Sequence, residues 1–157
     1  MKLSTLLVTF FILVLVELTC LHYLGVFQVK PDLFLLFVFI SALFFPLRWS
    51  ISMAVLAGVF KDALGMGSFG INIVLFSLWS ILIKEICHEI SIDDNLTRML
   101  FIFVIALVHN IINGLVAVYL GSFIPLGIFL RIVLLGSLYT ALLLPLILKL
   151  TKANIYD

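Results

Sequence analysis

MLFIFVIALVHNIINGLVAVYL, residues 99–120, is the stretch that decides the fold. It carries no charge, and its polar side chains are confined to His109, Asn110, Asn113 and Tyr119. A helix needs about 20 mostly apolar residues to cross the hydrocarbon of a bilayer, and this run supplies them. The texture extends to the whole chain. Of 157 residues, 65% are hydrophobic and 11% charged, with a mean hydropathy of +1.39. A soluble domain is about half apolar and about a quarter charged, so lipid has to serve as the outside of this protein. The net charge of +1 gives no reason to expect nucleic acid or an acidic substrate as a partner.

Working outward, the same criterion gives an all-α integral membrane protein, a single transmembrane domain over residues 1–157 with about six spanning helices. Their expected bounds are 3–21, 32–47, 49–64, 71–83, 99–120 and 128–148. The first run resembles a signal peptide, but it is long enough to span and no small-x-small cleavage site follows. Glu17 and Thr19 fit poorly with a lipoprotein reading of Cys20. Pro31-Asp32 opens the second helix, since proline loses nothing in a first helical turn. Pro46-Leu47-Arg48 separates the second helix from the third, and Pro145 is expected to kink the sixth. Asp93, Asp94 or Asn95 is expected to cap the fifth. Cys20 and Cys87 fall on opposite sides of the membrane, so no disulfide is expected.

Lysine and arginine stay on the cytoplasmic side. Six spans place Lys2, Arg48, Lys84, Arg98, Lys149 and Lys152 on one side and Lys30, Lys61 and Arg131 on the other. Both termini are therefore expected to be cytoplasmic.

Several patterns have a plain reading and a chemical one. Gly65 to Gly70 matches G-x-G-x-x-G, but a dinucleotide site needs a buried strand before it and a helix after it in a soluble unit. Between two apolar helices the glycines read as a break. His88-Glu89 lacks the second histidine of a metalloprotease helix, because residue 92 is Ile, and reads as a solvated segment. Glu17 near one end of its helix is a structural carboxyl or a partner contact. His109 and Asn113 share a face at i and i+4. They read as helix–helix glue or as a polar groove, with Asn110 and Gly114 beside them. Lys61-Asp62 is the sharpest anomaly. Lys61 can snorkel, whereas Asp62 is short and needs a donor, with Lys30 or Arg131 on its side. Ala54, Gly58 and Asp62 share one face, where small residues admit another helix. Asp62 is thus either a structural carboxylate or one that holds a partner. No nucleophile–base pair, metal set or cofactor motif is visible, so no enzyme is expected.

From Val29 onward these pieces fall into an order. Lys30-Pro31-Asp32 opens a helix, Pro46-Leu47-Arg48 follows, then Ala54-x-x-x-Gly58-x-x-x-Asp62, then Ser68-Phe69-Gly70-Ile71-Asn72. This order and spacing resembles MreD, the rod shape-determining membrane protein family of bacteria, over about a third of the chain. Ala54 stands where the family often has Gly. The resemblance implies a fold similar to the substrate-binding subunits of energy-coupling-factor transporters. It implies a non-enzymatic scaffold of cell-wall elongation in the bacterial cytoplasmic membrane. The implied partners are a bitopic MreC-like protein and, through it, a RodA-like polymerase, a class B penicillin-binding protein and MreB filaments. The same fold similarity supplies an alternative, the membrane subunit that binds a vitamin-like small molecule for a transporter.

Overall fold

The computed structural model describes residues 3–19, 29–65, 70–89 and 94–153. Among them are six helices and no strand: α1 (Leu3–Thr19), α2 (Leu33–Phe44), α3 (Leu47–Leu64), α4 (Ile71–Glu89), α5 (Asn95–Tyr119) and α6 (Leu126–Ala153). Three stretches, Ile71–Glu89, Asn95–Tyr119 and Leu126–Lys149, are long and apolar enough to cross a membrane. The chain is a membrane protein on that basis. Among the described residues, length and composition carry three of the six expected spans. α1 has 17 residues and α2 has 12, and α3 carries Arg48, Lys61 and Asp62.

α2 is the axis of the molecule. It touches every other helix, and each residue from Leu33 to Ala42 is buried. A helix that is apolar all round belongs inside a bundle. Its 12 residues reach only about 18 Å at 1.5 Å per residue. It ends at Phe44, short of the expected residue 47, because Pro46 excludes the helical conformation at Phe45 (φ −115°, ψ 154°). Leu47 and Arg48 therefore form the first turn of α3 and not a break. α4 runs on to Glu89, past the expected end at 83, since no breaker stands there. Asp94 takes the N-cap position of α5, but its side chain makes no capping hydrogen bond. α6 continues through Pro145. Cys87 is free and half-buried. Cys20, Ser68, Phe69 and Asp93 lie outside the described residues.

The helices alternate in direction. Asp32 at the start of α2 meets Lys61 near the end of α3. Lys84, late in α4, donates to the carbonyls of Ala42 (3.2 Å) and Phe45 (2.9 Å) at the end of α2. Asn110 of α5 reaches Ser137 of α6, while Gly114 faces Phe129. α3 packs on α4, and α5 on α6, along most of their lengths. α1 lies on α2 and α3 through Phe10, whose ring sits 5.1 Å from Phe37 and 5.3 Å from Phe60.

A candidate polar joint at one end of the bundle

At the end where α2 begins, α3 finishes and α4 starts, polar side chains from five helices converge. Asp32 is the N-cap of α2, its side chain accepting from Leu35 N–H (3.0 Å), which satisfies a donor the helix start leaves open. Its own N–H donates to Thr140 of α6 (3.0 Å). Its other carboxylate oxygen, Oδ2, takes the Lys61 ammonium of α3 in an ion pair and lies 3.3 Å from Nε2 of His109 on α5. The ammonium also lies 3.0 Å from His109 Nε2 and 5.0 Å from the Phe76 ring centroid. His109 is wholly buried, stacked on Phe76 at 5.1 Å. Asn113, one turn on, lies 2.9 Å from the same Nε2 and donates to Asn72 of α4 (3.4 Å).

Asp62 does a different job. It is 6% exposed, and both of its oxygens accept from the start of α4. Gly70 N–H (2.9 Å) and Ile73 N–H (3.3 Å) reach Oδ2, while Asn72 N–H (3.2 Å) and Asn72 Nδ2 (2.7 Å) reach Oδ1. The first N–H groups of a helix have no partner within it, and Asp62 supplies the acceptor from the preceding helix. Gly70 sits at φ +104°, a left-handed conformation that favours glycine. The turn this makes aims its N–H at the carboxylate. Lys30 and Arg131, the expected basic neighbours, are both exposed, and neither is among these partners of Asp62. A helix start one loop away outcompetes a flexible cation, because its donors are fixed and close.

Gly58 explains how α3 and α4 come so near. A Cβ there would stand 2.5 Å from Ile73 Cα and 2.7 Å from Ile73 N. The face carrying Ala54, Gly58 and Asp62 therefore meets α4 of the same chain. Glu17 of α1 is half-buried, and its Oε2 takes no hydrogen bond among the described residues.

Sequence reasoning did not foresee Asp32 as the partner of Lys61, nor Asn72 and Thr140 as members of the joint. Asp32 carried one available signal. A carboxylate after Pro31 at the head of an apolar helix is both a cap and a buried charge, and such a charge calls for a cation. Most of the G-x-G-x-x-G match, residues 66–69, lies outside the described residues.

Beside the joint is a cavity of about 160 Å³, lined by Lys61, Asp62, Asn72 and Asn113 and walled by Ile71, Val116 and Leu120. A second hollow, of about 130 Å³, lies between α4 and α5 and is wholly apolar. The groups placed against His109 are Asp32, Lys61, Asn113 and Phe76. No cluster of three or more metal-ligating side chains occurs among the described residues. No protein-family profile, curated protein or solved structure matches the chain.

Proposed function

We propose that the chain is a non-enzymatic scaffold of the MreD type, a six-span bundle of the bacterial cytoplasmic membrane with both termini inside. It serves lateral cell-wall synthesis by holding an MreC-like single-span protein. Through that partner it reaches a RodA-like polymerase, a class B penicillin-binding protein and MreB filaments. One observation carries this reading. Asp32, Gly58, Asp62, Gly70 and Asn72 belong to the segment that resembles the family; Asp32 ties α2 to α3 through Lys61, and the other four join α3 to α4. A charge pair buried among helices is a poor device for turnover and a good one for fixing register. A rigid bundle is what a scaffold requires.

The transporter-subunit alternative asks for a pocket able to hold a vitamin. Small-molecule pockets measure about 300–1,000 Å³ and are rich in aromatic walls. The polar cavity here is about 160 Å³, with no aromatic side chain among the described residues that line it, which favours the scaffold.

The test is purification of the tagged full chain from its native membrane in mild detergent, with co-purifying proteins identified by mass. A single-span protein with a large outer domain is the expected companion. A retained small-molecule ligand in place of that companion would overturn the reading. So would turnover of a lipid-linked cell-wall precursor by the purified chain alone.

A further inference from the structure

The cavity beside the polar joint is lined by hydrogen-bonding groups that the bundle does not use up. Lys61 has three N–H donors, and Asp32 and His109 account for two. Asn72 gives one amide N–H to Asp62 and accepts at Oδ1 from Asn113. Its second amide N–H has no partner among the described residues. The Asn113 amide nitrogen faces two acceptors, the His109 carbonyl at 3.2 Å and Asn72 Oδ1 at 3.4 Å. They set the amide with its own Oδ1 turned away, where it has no partner among the described residues. That oxygen is accessible, since the buried side-chain atoms left unpartnered among the described residues are those of Glu17, Trp79 and His109. Lys61, Asn72 and Asn113 all line the cavity, together with apolar walls from Ile71, Val116 and Leu120. We infer that the cavity takes a carboxamide, the Asn or Gln head of a partner's spanning helix.

Size and charge select that group. A cavity of about 160 Å³ has room for about five waters at about 30 Å³ each, and an enclosed water asks for about three hydrogen bonds. Three free valences cannot serve that many. An occupant with an apolar stem and one polar head matches both the walls and the valences. A carboxylate is disfavoured, because Asp32 already balances Lys61 and Asp62 adds a negative charge to the lining. An ammonium is disfavoured because it would face Lys61, while both Asp62 oxygens are taken by N–H groups at the start of α4. A hydroxyl has a single donor and reaches fewer of the groups. A carboxamide oxygen accepts from Lys61 and Asn72 while its NH₂ donates to Asn113 Oδ1, which uses all three. Asn and Gln bond across helices in membranes in this way. Leu120, one of the walls, is 56% exposed. It offers contact to an apolar stem and the helix behind it, and nothing to a free polar solute. The inference rests on the scaffold reading and names the group by which the partner is held.

The experiment places a photoreactive phenylalanine analogue at Leu120 of the full chain in native membranes, with Leu134, exposed on α6, as the control position. The expected result is a protein adduct from position 120, at about tenfold the yield from position 134. It should map within one helical turn of an Asn or Gln in the span of a co-purified partner. Changing that partner residue to Ala should cut co-purification about tenfold, as expected for losing two or three interhelical hydrogen bonds. Ala117→Phe fills the cavity from a wall outside the joint and should cut it as far. Val118→Phe, at an exposed position of the same helix, should leave it unchanged. Leu120→Trp narrows the same cavity from an exposed position and replaces Ala117→Phe if that variant does not fold. An adduct to lipid alone, or to a segment without Asn or Gln, would overturn the inference. So would co-purification that survives the filling of the cavity. Either result with a partner still bound would leave the scaffold reading standing. Absence of any co-purifying partner would sink both.

Discussion

Asp32 answers three demands at one point in the chain. It caps α2, it anchors α6 through Thr140, and it balances Lys61 in the interior. Removing one partner of a buried pair leaves a bare charge and costs about 3–5 kcal/mol, while removing both is far milder. Lys61→Met is therefore expected to destabilise the bundle by about that amount. Lys61→Met combined with Asp32→Asn should recover most of it. Unfolding in a mixed-detergent titration measures both. A double variant as weak as the single would show that the pair is not the unit. Asp62 makes a separate prediction, because it binds N–H groups and not a cation. Asp62→Ala orphans the donors of Gly70, Asn72 and Ile73 and is expected to cost about 2–3 kcal/mol. Asp62→Asn keeps one acceptor oxygen but turns an NH₂ toward donors. It should lose about half as much, in keeping with the worth of one cap bond. Equal losses in the two variants would contradict the capping role.

Pairs of elements, not single helices, hold the shape. α3 and α4 approach backbone to backbone at Gly58 and Ile73. A chain of hydroxyls, Ser41 to Ser50 (3.5 Å) and Ser50 to Ser80 (2.6 Å), ties α2, α3 and α4 nearer their other end. Gly58→Ala puts a methyl 2.5 Å from a backbone atom, so a helix must move. The expected loss is about 3 kcal/mol, the upper end for overpacking. Gly114→Ala meets only the Phe129 ring, at 2.4 Å. A ring can turn, so a loss of about 1 kcal/mol is expected there. Near-equal effects of the two substitutions, by the same titration, would show that backbone contact does not set the difference. At this scale the sequence was partly legible. The i+4 row Ala54, Gly58, Asp62 announced a face turned toward another helix, and residues 99–120 announced a span. The identity of the facing helix was not written in that row, since it depends on a turn at Gly70 and on donors eight to eleven residues away. Likewise the sequence left α2 open as a separate span or as a short helix buried behind its neighbours. Its apolar character is the same whether lipid or protein surrounds it, and only the other helices distinguish the two.

For the molecule as a whole, the joint changes how its charges are to be counted. Lys61 faces inward to Asp32 and His109, and Lys84 is bound to the carbonyls that end α2. Neither is a free loop charge of the kind that orients a membrane protein. On the six-span topology proposed above, leaving them out sets Lys2, Arg48, Arg98, Lys149 and Lys152 on one side against Lys30 and Arg131 on the other. Five against two is a clearer bias than six against three. The shortness of α2 does not break the alternation that this count assumes. Both of its ends are satisfied by neighbouring helices, Thr140 and Lys61 at one and Lys84 at the other. Backbone that ends at membrane depth is tolerated where protein surrounds it. The chain can then cross as a half-length helix with an extended approach at residues 29–32. A reporter active only outside the cytoplasm should accordingly be silent when fused after Asp157 and active when inserted after Ser122, in the turn between α5 and α6. The reverse pattern would invert the bundle and move Glu85 and Glu89 to the outer face. Signal at both positions would mean that α6 does not cross.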